Sequence, residues 1–264
     1  MKRRKWTRAE IREKSRRGMY IIPSLFTVSN VFCGFYSISS AIQGNYARAG
    51  ILIGIAMILD TLDGRIARMT NTSSQFGVQL DSLADAITFG VAPAVLCYQW
   101  AFYRYENHLI DRAGWIVCFL FIICAVSRLA RFNVQTTGTP DKRYFTGMPT
   151  PAAAGFVAAY IYHFPERIEG ELWTILAVGI MLLLAFLMVS RIRYRTFKDI
   201  NLKQPHSYRV IVLIALIIGF MAFDLRRALV TISSVYAISG IIGMFTKKQP
   251  KQEIPELESP MNPT

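Results

Sequence analysis

Histidine is nearly absent from this 264-residue chain, cysteine is sparse and acids are in the minority: 3 His, 4 Cys and 17 Asp plus Glu stand against 30 Lys plus Arg. His108, His163 and His206 are scattered over loops and the ends of apolar runs, so they compose no histidine metal site. Cys33, Cys97, Cys118 and Cys124 form no CxxC pair and all fall inside apolar runs, which excludes a zinc ribbon or a disulfide framework and leaves them as small packing residues. There is no internal repeat. Nor is there an alternating or amphipathic pattern from which a large water-soluble core could be built.

What the chain has instead is oil in blocks. It is 53% hydrophobic with a mean hydropathy of +0.32. A membrane crossing needs about 20 mostly apolar residues, and eight runs qualify: 21–42, 49–67, 83–103, 113–130, 149–165, 171–190, 209–224 and 228–246. The expected fold is an all-α polytopic membrane protein. The basic stretch "RIRYRTFKDINLKQPHSYR" separates the first six spans from the last two, which predicts a six-helix core at 21–190, a basic cytosolic loop at 191–208 and an additional hairpin at 209–246. Residues 1–20 read as a basic juxtamembrane segment ahead of a retained first helix rather than a cleaved signal, and the Pro-rich polar tail 247–264 as disordered.

The net charge of +13 raises the question of nucleic acid. With the N-terminus in the cytosol, an eight-span arrangement places 24 of the 30 Lys and Arg on the cytosolic side and six on the other. That asymmetry is the positive-inside rule, and no nucleic-acid partner is needed to account for it. The longer inter-span stretches, 68–82, 131–148 and 191–208, all fall on the cytosolic face, so chemistry is expected there, with both termini on the same side. The compact chain favours a bacterial inner (plasma) membrane.

Four aspartates interrupt the oil in "ILDTLDGRIARMTNTSSQFGVQLDSLAD", residues 58–85. An Asp at the centre of a spanning helix costs about 2.5–3.5 kcal/mol on insertion scales, so four in one neighbourhood need a reason. At 3.6 residues per turn, Asp60 and Asp63 share one face of the second span, and Asp81 and Asp85 share one face at the start of the third. A loop that folds back brings both pairs to one polar pocket. Hard oxygen ligands without His or Cys suit Mg²⁺ or Mn²⁺, and two such ions can clamp the attacking and leaving oxygens of a phosphoryl transfer. Gly64 and Ala67 leave room beside Asp63, Gly77 does the same opposite, and Arg68 can pair with phosphate. The competing reading is ordinary ion pairing with Arg65, Arg68, Arg128 and Arg131. A cation transporter would instead disperse its acids along a transmembrane path, whereas these cluster at one edge.

Residues 60–85 read D-x2-D-G-x2-A-R-x8-G-x3-D-x3-D, which matches without departure the signature of the CDP-alcohol phosphotransferase family. This resemblance implies a six-helix core, usually dimeric, that moves a phosphate-bearing group from a CDP-linked donor to an alcohol and releases CMP. It implies that Asp60, Asp63, Asp81 and Asp85 bind metal, with Asp85 as the general base. Around the cytidine and diphosphate it implies Asp60, Gly64, Ala67, Arg68 and Gly77, with Asn30, in "PSLFTVSNVFCG", near the nucleotide.

The signature does not name the acceptor. The stretches "FGVAPA" (89–94), "SRLARFNV" (127–134) and "FTGMPTPAAAG" (145–155) are similar to segments of the subgroup that uses CDP-diacylglycerol and L-serine. Arg128 and Arg131, about a turn apart, suit bidentate binding of a carboxylate, with Asn133 alongside; they serve equally well as topogenic charges or as ligands of a lipid phosphate. Glycerol 3-phosphate or an inositol compound is the alternative acceptor.

Overall fold

A computed structural model of the chain describes residues 8–70, 75–103, 105, 107–135, 144–190, 192–195 and 207–246. Helix α1 (Arg8–Ile42) leads into α2 (Tyr46–Thr70), and the next rod starts with α3 (Gln75–Asp85) and continues through α4 (Ala92–Cys97). Then come α5 (His108–Gln135), α6 (Thr150–His163), α7 (Glu171–Val189), α8 (Ser207–Phe223) and α9 (Leu225–Thr246). Helix stands at each of the eight expected spans. Among the described residues four stretches are long and apolar enough to cross a membrane: Leu25–Ile42, Gln75–Phe102, His108–Val134 and Glu171–Val189. At 14 and 17 residues, α6 and α8 fall short of the roughly 20 that a full crossing takes.

The molecule's outer surface is oily, as a bilayer solvent demands. Trp115, Ile116, Phe119, Leu172, Trp173 and Phe186 are each more than half exposed, and in water such a surface would aggregate. Inside, Phe89, Leu96, Phe102, Phe121, Met181 and Leu184 are fully buried. Between spans in lipid there is no hydrophobic drive to associate, so close packing must hold them together, and small residues permit it. Gly34 of α1 shows this: a Cβ there would sit 2.6 Å from Thr88 Oγ1.

Three details depart from the sequence expectation. First, helix extends further than the apolar runs: α1 starts at Arg8, within the basic segment, and the 68–82 stretch expected as a loop is helical from Gln75. Second, the rod Gln75–Phe102 is not uniformly α. Residues Ala86–Val91 form a π-helical turn in which the Ala92 N–H donates to Ile87 O, five residues back. Pro93 follows directly, lacking the N–H that would bond Phe89 O, and the widened turn absorbs that loss and the clash of its ring. A second π stretch, Tyr98–Phe102, ends the rod.

Third, the fold is not wholly α. Strands β1 (Tyr144–Thr146) and β2 (Arg193–Arg195) pair antiparallel, with Tyr144 opposite Arg195 and Thr146 opposite Arg193. Gly147 ends the ribbon at φ 82°, and a Cβ there would lie 2.3 Å from Met188 O. Only glycine fits. Its N–H donates to Ile192 O at 2.8 Å and that of Met148 to Leu187 O at 2.9 Å, tying the start of α6 to the end of α7.

Candidate active site

Helix α1 presents two polar side chains, Thr27 and Asn30, on one face three residues apart, 5% and 1% exposed. Thr27 Oγ1 donates to Asp63 Oδ2 at 2.5 Å. Asn30 Nδ2 donates to Asp85 Oδ1 at 3.5 Å, the long limit for such a bond. The approach allowed by Gly34 sets this geometry, because Thr88 Oγ1 donates to Asn30 O at 3.2 Å and so holds the rod against α1 one turn beyond Asp85.

Three of the four acids converge. Asp60, Asp81 and Asp85 each offer a carboxylate oxygen, all within 4.8 Å of one another. Asp63 lies one turn along α2, 5% exposed and engaged by Thr27. Among the described residues no arginine forms a close ion pair with these acids, although the charge of Arg128 acts on Asp85, and the ion pair that does form, Arg227 with Asp224, is elsewhere; the side chain of Arg68 lies outside the described residues. The site is thus a half-buried concentration of negative charge, offset among the described residues by donation from Thr27 and Asn30 and by the charge of Arg128. Uncompensated like charge in a poorly solvated setting is strongly unfavourable. An all-oxygen donor set of this density fits a hard divalent cation such as Mg²⁺ or Mn²⁺.

Space is available next to the acids. Gly64 is exposed, and a Cβ placed there would meet nothing within 4 Å. Gly77 is half-buried in the first turn of α3. The side chains of Ala67 and Arg68 lie outside the described residues.

The three residues expected to receive the acceptor have separate duties. Arg128 is 9% exposed; its Nη1 donates to Thr150 Oγ1 at 3.0 Å, while its Nε is buried without a partner. Arg131 Nη1 donates to Val189 O at 3.1 Å, closing the C-terminal end of α7, so one arm of that guanidinium is committed to holding helices. Asn133 Nδ2 donates to Ser82 Oγ at 2.9 Å, which joins α5 to α3 beside Asp81. Thr27, Ser82, Thr88 and Thr150 are the residues that sequence reasoning missed. Thr27 alone carried a signal, its i, i+3 relation to Asn30.

A separate apolar cavity of about 780 Å³, lined by Trp100, Phe156, Tyr160, Phe164 and Trp173 among others, lies at the far ends of α6 and the rod. It is removed from the acids, which cluster near the opposite end of the rod.

The family described as CDP-alcohol phosphatidyltransferase matches residues 20–190, a segment that contains all four aspartates, Asn30 and Arg128. The chain belongs to this family. It is 39% identical over 229 residues to the CDP-diacylglycerol-serine O-phosphatidyltransferase of Helicobacter pylori strain J99, covering 85% of this chain and 91% of that protein. The enzyme of the same name from Bacillus subtilis strain 168 is 34% identical over 180 residues, 68% of this chain and 93% of the relative. An archaetidylserine synthase from Methanothermobacter thermautotrophicus is 37% identical over 176 residues, 66% and 69%. As a CDP-alcohol phosphatidyltransferase the chain is a group-transfer enzyme of the membrane.

Proposed function

We propose that this enzyme transfers the phosphatidyl group of CDP-diacylglycerol to the hydroxyl of L-serine, giving phosphatidylserine and CMP. The observation that carries this reading is the meeting of three carboxylates within 4.8 Å of one another, together with a buried arginine, Arg128, whose Nε has no protein partner and whose charge acts on Asp85. Its chemistry is complementary to both reactants: acids with a cation for a diphosphate, and a guanidinium for the carboxylate of an amino acid. The relatives add a second support. Two of these relatives are named for a diacylglycerol donor and one for an archaetidyl product, yet serine is common to all three names.

Asp60, Asp63, Asp81 and Asp85 would hold Mg²⁺ or Mn²⁺, two ions in our reading, which when bound supply the positive charge that a diphosphate needs near these acids. Asn30, Gly64, Ala67, Arg68 and Gly77 surround the nucleotide and diphosphate. Arg128, with Arg131 and Asn133 behind it, orients serine. Asp85 accepts the proton of the serine hydroxyl as its oxygen bonds to the phosphorus nearer the diacylglycerol; the bond from that phosphorus to the bridging oxygen breaks and CMP leaves. The transfer is a single displacement in our reading, since among the described residues no activated covalent nucleophile adjoins the cluster. We place the site and both termini on the cytosolic side of a bacterial plasma membrane, in a homodimer whose protomers each have a six-span core and a closing hairpin.

The test is CMP release by purified protein given CDP-diacylglycerol, with serine, glycerol 3-phosphate, inositol or no acceptor. Serine-dependent CMP and phosphatidylserine are expected, abolished by chelator and lowered about 10²–10⁴-fold in Asp85→Asn. Release driven by another alcohol would keep the family and remove serine; an Asp85→Asn enzyme of normal rate would remove the base.

A further inference from the structure

Threonines inside the helices of this protein turn their hydroxyls back on their own backbone: Thr61 Oγ1 donates to Met57 O and Thr231 Oγ1 to Arg227 O, each at 2.8 Å and four residues back. Thr150 has no such acceptor, because it is the first residue of α6 and the position four before it, Thr146, belongs to β1. Nor does α6 rely on a side chain to cap it; Pro149 stands at the cap with ψ 136° and Pro151 follows Thr150. The Thr150 hydroxyl, on a residue 0% exposed, is left for a tertiary partner, and it accepts from Arg128 Nη1 at 3.0 Å.

That hydroxyl stands on a fixed support. Proline rings restrict the backbone on either side of it. The Gly147 and Met148 N–H groups donate to Ile192 O and Leu187 O, and Arg131 Nη1 donates to Val189 O, so the start of α6 and the end of α5 are both tied to the end of α7. The register of α5 against the rod places Arg128 beside the acids. Asn133 donates to Ser82 at one end, a Cβ on Gly90 would touch Ala125 Cβ at 3.4 Å at the other, and Arg128 and Asp85 both fall between those two contacts.

Nη1 is thereby engaged and Nε is not: the Nε of Arg128 is buried without a hydrogen-bond partner. A buried donor left unmade is unfavourable and calls for a ligand that uses it. The guanidinium is a planar fork. A hydrogen bond at Nη1, together with the stem rising from α5, fixes its plane and leaves the opposite edge, Nε with its neighbour Nη2, as two parallel N–H groups, the pair that a carboxylate accepts. We infer that Thr150 is a positioning residue for the acceptor, its hydroxyl holding Nη1 of Arg128 so that the opposite edge of the guanidinium faces the acceptor's anionic group. The inference rests on the acceptor reading above in one respect, that Arg128 serves the acceptor and not the lipid phosphate. Its consequence is selective: without the hydroxyl the guanidinium turns, and acceptor binding weakens while the lipid donor's binding stays.

The experiment uses the full chain in detergent or lipid, with steady-state rates measured while acceptor and CDP-diacylglycerol are varied in turn. Thr150→Val, which keeps the shape and removes the oxygen, is expected to raise the KM for serine about tenfold, the order of one hydrogen bond to a charged group. Its KM for CDP-diacylglycerol should stay at the wild-type value, and kcat should change less than the KM for serine. Thr150→Ser, which keeps the hydroxyl, is expected to restore most of the affinity. Should the Val variant fail to fold, Thr150→Ser and Thr150→Ala, which differ only in the oxygen, give the same reading. A lower melting temperature accompanies either role, since Nη1 loses its acceptor, so the split between the two KM values decides. Both KM values moving together, or a variant without the hydroxyl that keeps the wild-type KM for serine, overturns the inference. The wild-type acceptor panel, run first, separates the two claims. If another anionic alcohol proves to be the acceptor, the serine reading fails and Thr150 is judged on the KM for that alcohol; an acceptor without an anionic group overturns both.

Discussion

Removing a charge from the acidic cluster should stabilise the protein while destroying its activity. Asp60→Asn preserves shape and takes away one of three carboxylates whose oxygens lie within 4.8 Å. Two unit charges at that distance repel by about 3.5 kcal/mol at an effective dielectric of about 20, and Asp60 faces two of them. Solvent reaching these half-buried side chains screens much of this, leaving a net relief of about 1–3 kcal/mol. In EDTA the variant should therefore melt above the wild type. Saturating Mn²⁺ reverses the order: an ion at 100 times its dissociation constant stabilises by about 2.7 kcal/mol, and the variant, with a ligand missing, gains less. Thermal unfolding followed by the fluorescence of the four tryptophans reads both arms without any assay of turnover. If Asp60→Asn melts lower than the wild type in EDTA, and Mn²⁺ moves neither protein, the acids are a structural network and the metal reasoning fails.

Two further substitutions test how the site is held. Thr27→Val keeps the shape but removes the donor to Asp63, a 5% exposed carboxylate; we expect a loss of about 1.5–3 kcal/mol in stability and of about tenfold in metal affinity. Melting and metal titration check this, and a variant unchanged in both would show that Asp63 does not depend on α1. Gly147→Ala forces a Cβ against Met188 O at φ 82°, costing upwards of about 1–2 kcal/mol from the backbone alone. A variant that melts with the wild type would show that the ribbon is free to move.

The acids were legible because their geometry is local. Spacings of three and four residues put Asp60 with Asp63 and Asp81 with Asp85 on single helix faces whatever the rest of the chain does. What closes the site is not local: Thr27 to Asp63 spans 36 positions, Asn30 to Asp85 spans 55, and Arg128 to Thr150 spans 22. A threonine in a helix can equally bond its own backbone, as Ser29 does to Leu25 O at 2.8 Å, so no sequence rule selects Thr27. Arg128 and Arg131 looked equivalent from their spacing, and only the end of α7, more than 50 residues away, separates their roles. The ribbon's three-residue strands are too short to carry an alternation signal. Pro93 was visible in "FGVAPA", but whether a helix meets a proline with a kink or with a π turn depends on its neighbours.

Helix lengths explain why the acids stand where they do. The rod Gln75–Phe102 has 28 residues, about 42 Å of helix at 1.5 Å each, against a hydrocarbon thickness of about 30 Å. Were Phe102 at one boundary, roughly the first eight residues would project past the other, which would leave Asp81 at the interface and Asp85 within a turn inside it. On the same reasoning α2, counted from Tyr46, would carry Asp60 about a turn and a half, and Asp63 less than one turn, inside the same boundary. Acids at that depth are costly to ionise without a counter-charge, and among the described residues Thr27 and Asn30 donate to them while no arginine forms a close ion pair with them. The cost falls when a cation binds, close to the interface beyond which a phospholipid's phosphate lies. A donor lipid held there keeps its chains in the bilayer while its diphosphate meets the acids, so the position that makes the cluster expensive for the apoprotein is the one at which it can act on a lipid substrate.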